Sequence, residues 1–133
     1  RGVMGKRRFN ERCLGELSEG DFKDKAGMIK PEFVVVEADG LPYAGVYRGI
    51  DEWKYLSKSI VQTWSDFKIR PIEYPAESEN NLVVRFALSG KSRKTGKAFE
   101  TTVMELWRFD DAKLREIVPY YFDTHALALA DQD

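Results

Sequence analysis

The sequence predicts an α+β domain, and three observations carry that prediction. Apolar residues recur at helical spacing in the first half, β-branched and aromatic residues alternate through the second, and turn residues punctuate both. Helices gathered ahead of a run of strands favour α+β over a parallel α/β sheet, in which the two types would alternate. The chain of 133 residues suffices for one core, so residues 1–133 read as a single domain, with residues 1–5 set aside as a disordered or added start.

The elements follow in order. In "KRRFNERCLGELSEG", Phe9, Cys13 and Leu17 form one apolar stripe flanked by Leu14, and Gly20 suits the helix end. Asp21 starts a second helix with Phe22, Ala26 and Ile29 on one side, which Pro31 stops. "EFVVVEA" is a short β-branched strand. The glycine- and tyrosine-rich "DGLPYAGVYRG" reads as a loop with at most a short extended stretch. Asp51 caps the long helix, Ile50 pairs with Tyr55 as a staple, and Trp53, Leu56, Ile60 and Trp64 line its core face. Residues 66–78 form a ragged strand in which Pro71 and Pro75 demand an edge or a bulge. "LVVRFALSG" turns Leu82, Val84, Phe86 and Leu88 inward, the basic "KSRKTGK" turns at Gly96, and residues 98–109 return. "DDAK" reverses the chain into "LREIVPYYFD", and an Ala/Leu-rich tail closes it. Four antiparallel strands thus follow the long helix, and a strongly curved sheet around that helix leaves a cavity between the two.

Composition narrows the function. A hydrophobic share of 43% beside a charged share of 32% describes a folded soluble protein rather than a disordered one. A net charge of −1 gives no nucleic-acid footprint, and no apolar run is long enough to span a bilayer. The basic start "RGVMGKRR" leads into no apolar signal core. Cys13 alone cannot form an internal disulfide, so a cytoplasmic setting is expected. His125 alone cannot build a multi-histidine metal site, and neither metal nor cofactor is expected.

One residue breaks the pattern. In "FETTVMELWRF" the apolar face carries Phe99, Thr101, Val103, Trp107 and Phe109, and Glu105 sits in its middle. Burial there raises a carboxyl pKa and suits proton transfer near neutral pH. The structural alternative is an ion pair with Arg85, Arg108 or Arg115, or a bond to a backbone group.

Three phrases, "ERCLGELSEGD", "FVVVEADGLPYAGVYRGIDEW" and above all "TGKAFETTVMELWRFDDAKLREIVPYYFDT", resemble the SnoaL-like branch of the nuclear transport factor 2-like superfamily. The resemblance runs from about Phe9 to about Leu129. It implies a cone-shaped, curved antiparallel sheet wrapped around the long helix, with two N-terminal helices, and a homodimer through the outer sheet face. Ketosteroid isomerases of this superfamily keep a protonated acid on the penultimate strand, where it donates to an oxyanion; Glu105 aligns with it. Their tyrosine donor falls on Cys13. Their base falls on Ala38, between Glu37 and Asp39. The arginine of the limonene epoxide hydrolases falls on Val103, and the aspartate of the polyketide cyclases on Pro119, with Asp123 just beyond. The framework is present while each catalytic set is incomplete.

The expected site therefore has Glu105 as acid or base, with Asp39 or Asp123 as its partner. Cys13, Tyr43, Tyr47, Trp64, Phe86, Trp107, Tyr120 and His125 are expected to line the pocket. Three functions stay open: cofactor-independent isomerase, cyclase or hydrolase chemistry on a small apolar organic molecule; ligand binding without catalysis; and association through the sheet.

Overall fold

Alternation of apolar and polar residues builds most of this molecule. The computed structural model describes residues 5–16 and 27–133. Helix α1 (Lys6–Glu16) leads to strands β1 (Ile29–Glu37) and β2 (Gly45–Arg48), helix α2 (Gly49–Thr63), strands β3 (Trp64–Glu77), β4 (Asn81–Ser92), β5 (Ala98–Asp110) and β6 (Lys113–Tyr121), and helix α3 (Thr124–Ala130). The six strands form one curved sheet in the order β2-β1-β6-β5-β4-β3. The class is α+β, as expected.

Several elements depart from the expectation. The sheet is mixed, because β1 runs parallel to β6 while every other pair is antiparallel. Most of the expected second helix lies outside the described residues. Its Ile29 instead opens β1, and Pro31 lies exposed within that strand rather than ending a helix. The glycine-rich segment supplies β2, which pairs with β1. Helix α2 begins before Asp51, and the Arg48 N–H donates to Glu52 Oε1 (2.7 Å), so Glu52 does the capping. Tyr55 is exposed and forms no staple. Trp64 opens β3 rather than closing α2. The Ala/Leu-rich tail folds as α3, with Asp123 at its N-cap accepting from the Ala126 N–H (3.1 Å).

Other expectations hold in detail. β3 is an edge strand whose register shifts beside both Pro71 and Pro75, where a missing N–H costs no ladder bond. Leu82, Val84, Phe86 and Leu88 are all buried. Gly96 turns the β4–β5 hairpin with φ +78°. The tip of that hairpin receives α3: Ser92 Oγ donates to Asp131 Oδ1 (2.6 Å), and Lys97 Nζ to the Gln132 carbonyl (2.8 Å). The basic "KSRKTGK" run thus meets the chain's own C-terminal segment, with Lys94 paired to Asp131.

Helix α2 buries Trp53, Leu56 and Ile60 against the sheet, with the Trp53 ring 4.9 Å from Phe33. Helix α1 drops Phe9 edge-on against Trp107 at 6.2 Å. It is tied to β3 by Tyr74, whose hydroxyl donates to Asn10 Oδ1 (2.9 Å) and whose ring lies under the Arg7 guanidinium. Gly90 lets Trp64 and Phe99 approach to 4.6 Å, because a Cβ there would meet both.

The β5–β6 turn carries avoidable strain. Asp111 and Ala112 hold φ of +52° and +63° between the paired Asp110 and Lys113. Two positive φ values define the hairpin turn that favours glycine, and alanine there meets its own carbonyl sterically. Ala112→Gly should therefore stabilise the fold by up to about 1 kcal/mol, read as a higher urea midpoint at unchanged slope. A lower midpoint would contradict this account of the turn.

Candidate functional site

Strand periodicity delivers two carboxylates to one place. In β1, Phe33, Val35 and Glu37 point inward, and all three are buried. In β5, Val103, Glu105 and Trp107 share the inner face. β6 lies between these strands, with Val35 beside Ile117 and Glu105 beside Pro119. Glu37 and Glu105 therefore flank β6 near the same level.

Both acids line a cavity of about 50 Å³ enclosed by α1, α2 and the sheet. At ~10–15 Å³ per water, that space holds only a few water molecules. Trp53, Phe67, Phe86 and Trp107 form aromatic wall, and the polar lining is Cys13, Glu37, Tyr43, Glu105 and Tyr121. Among the described residues no lysine, arginine or histidine lines it.

The hydrogen bonds are specific. Tyr121 donates its hydroxyl to Glu37 Oε1 at 3.2 Å, and the Trp107 indole N–H donates to Glu105 Oε1 at 2.9 Å. The Trp64 indole N–H donates to the Tyr43 hydroxyl at 2.8 Å, and Tyr47 donates to the Tyr43 carbonyl at 2.8 Å. Arg85 pairs with Glu73 and Arg108 with Glu116, so neither neutralises Glu105. Among the described residues the partner of Glu105 is the Trp107 indole rather than a cation.

Burial dominates the electrostatics. It pushes the Glu37 carboxyl up to about 8; the charge of Glu105 adds to the rise, and the Tyr121 bond opposes it. Burial likewise pushes Glu105 up to about 7 against the pull of the Trp107 N–H. The charge of Glu105 thus holds back ionisation of Glu37, and both carboxyls keep protons near neutral pH. Burial and the nearby Glu37 charge also raise Tyr121, which stays a protonated donor. Tyr43 is raised too, chiefly by burial, against the Trp64 bond.

The expected residues fall into two groups. Cys13, Tyr43, Phe86, Glu105 and Trp107 line the cavity together. Trp64 and Tyr47 stand behind it, each bonded to Tyr43. Asp39 is exposed just past Glu37, Tyr120 is exposed on the opposite face of β6, and His125 is exposed on α3. Asp123 is occupied at the α3 N-cap. Glu37 and Tyr121 were not anticipated at the site. The signal for Glu37 was in "FVVVE", where it shares a face with Phe33 and Val35, and Tyr121 shares one with Ile117. Among the described residues no group of three histidine, cysteine, aspartate or glutamate side chains is placed to hold a metal ion, and no helix is long and apolar enough to cross a membrane.

This geometry coincides with the similarities to known proteins. The SnoaL-like domain model matches residues 7–117, and the chain belongs to that family. No curated protein matches the chain. Among solved structures, an NTF2-like protein from Burkholderia thailandensis is 26% identical, with a TM-score of 0.80 over 90% of this chain and 91% of that one. An NTF2-like protein from Burkholderia xenovorans is 21% identical, with a TM-score of 0.83 over 98% and 100%. A putative SnoaL-like polyketide cyclase from a Jannaschia species is 12% identical, with a TM-score of 0.74 over 93% and 90%. The latter two similarities establish the shared fold alone.

The raised carboxyls leave a mark on stability. An unfolded glutamate ionises near 4.5, so between there and about 8 the folded protein keeps protons the unfolded chain has released. The resulting stability is complete below the unfolded value and is lost as pH rises through 7 to 8. Glu37→Gln keeps an acceptor for Tyr121 and cannot ionise. It should match the parent near about pH 5 and exceed its stability by on the order of 2 kcal/mol above about pH 8. Urea unfolding at the two pH values reads the difference, and equal effects at both would contradict the raised carboxyl.

Proposed function

We propose that this protein holds a small apolar organic molecule bearing an oxygen function in the cavity and moves a proton on it, with Glu37 and Glu105 as the acid–base pair. The observation that carries the reading is two carboxyls with pKa values raised to about 8 and about 7 on one apolar cavity. Near neutral pH one of the pair holds a proton while the other gives it up. The protonated member donates to a ligand oxygen as charge develops, and the ionised member accepts a proton from carbon or water. Tyr121, held at Glu37, steadies whichever charge forms there. Chemistry of this kind uses side chains and water and needs no cofactor. Glu37 takes the partner role expected of Asp39 or Asp123, because it lines the cavity and they do not.

Two other readings draw on specific features. Cys13, Ala38 and Val103, standing where relatives of known activity carry catalytic groups, favour a pocket that binds without catalysis. On the outer sheet face Met104 pairs with Tyr120 and Leu106 with Val118 beside the exposed Phe122, which favours a homodimer through that face.

Proton exchange separates enzyme from binder without a known substrate. Small enolisable ketones in deuterated water should lose their α-protons faster with the protein than without it. Glu37→Gln and Glu105→Gln should each cut the rate about a hundredfold or more while ketone binding, followed by tryptophan fluorescence, persists. Binding without enhanced exchange would sink the catalytic reading and leave the binding one.

A further inference from the structure

The charge balance of the cavity points to its ligand. Among the described residues, two acids line it and no cationic side chain does. Each carboxyl has one oxygen engaged, Glu37 by Tyr121 and Glu105 by Trp107, and its other oxygen accepts nothing from the described residues. Around them stand the rings of Trp53, Phe67, Phe86 and Trp107, whose negative faces attract cations. The remaining described groups that face them carry no positive charge. Cys13 comes from α1, Tyr43 from the segment after β1 and Tyr121 from β6, while α2, β3 and β4 contribute only apolar side chains.

A neutral ligand leaves this imbalance in place, and an anion worsens it. A ligand bringing one positive charge on an apolar skeleton corrects it, since it lets the carboxyls ionise against a partner instead of against each other. We propose that the ligand carries a protonated amine on a small apolar body, with the ammonium group held between the free oxygens of Glu37 and Glu105. This rests on the cavity being a ligand pocket, and it names the ligand class for the reading in which the pocket binds without catalysis, because two carboxyls engaged by an ammonium leave none free to act as acid or base. Binding then exchanges a proton for a cation: the ammonium enters and the carboxyl pair releases a proton to solvent. Affinity for the amine rises with pH through the range in which the pair ionises and levels off beyond it.

Isobutylamine, isobutanol and isobutyrate share one skeleton and differ in charge, so they test the point directly. Binding is followed by tryptophan fluorescence, and proton release by calorimetry in buffers of different ionisation enthalpy. At about pH 8 the amine should bind about tenfold or more tighter than the alcohol and release up to about one proton per molecule bound, with the advantage shrinking towards about pH 6. The advantage should collapse in Glu105→Gln and in Glu37→Gln, each variant checked for folding by its unfolding transition. Equal binding of amine and alcohol, or tighter binding of isobutyrate, would overturn the amine proposal and leave the pocket standing. If none of the three binds, and Ile69→Trp, which fills the cavity from β3, changes no response, the pocket reading fails and the amine proposal fails with it.

Discussion

Two carboxyl groups on one small, mostly apolar cavity impose a constraint on everything around them. Either charge alone is far better solvated in water, and the two together repel. Among the described residues the fold answers with a tyrosine hydroxyl on Glu37 and an indole N–H on Glu105 rather than with a cation. One donor per acid is too little to hold both ionised against burial, so the pair keeps protons to neutral pH and above. Such an arrangement is poor for stability in neutral solution and well suited to proton transfer, a trade common at functional sites.

The framework exists to keep that pair in place. β6 separates the strands bearing the acids, and Pro119 stands beside Glu105 without an N–H to offer it. Cys13 and Leu14 of α1 and Trp53 of α2 close the space from the other side. Tyr43 is fixed twice, through its hydroxyl by Trp64 and through its carbonyl by Tyr47, so the segment leaving β1 cannot drift from the mouth of the site.

Much of this was legible in the residues. Alternation marked the inner face of β4, Pro71 and Pro75 marked the edge strand, and Glu105 betrayed itself as an acid in the middle of the apolar face of β5. The parallel pairing of β1 with β6 was not legible, because it joins segments about eighty residues apart and leaves no local signature. Glu37 was missed for a related reason. The resemblance to the isomerases placed the base position on Ala38, whereas the pleat decides which neighbour faces inward, and it chose Glu37. Asp123 showed its carboxylate, but only the folding of the short tail as α3 shows that the carboxylate is spent on a helix cap. Trp64 fits a helical stripe and an inward strand position equally well, and the chain uses it as the first residue of β3.

The central claim is that the two acids share protons near neutral pH, and the most direct measurement is a carbon-13 NMR titration of the glutamate side-chain carboxyls, with Glu37→Gln and Glu105→Gln to assign the two signals. The account predicts two transitions near pH 7 and 8, apart from the bulk of the glutamates, and a lower transition for Glu37 once Glu105 can no longer charge. Two carboxyls ionising with the rest near 4.5 would contradict it, and would make Glu105 an ordinary solvated acid on the edge of a packed core.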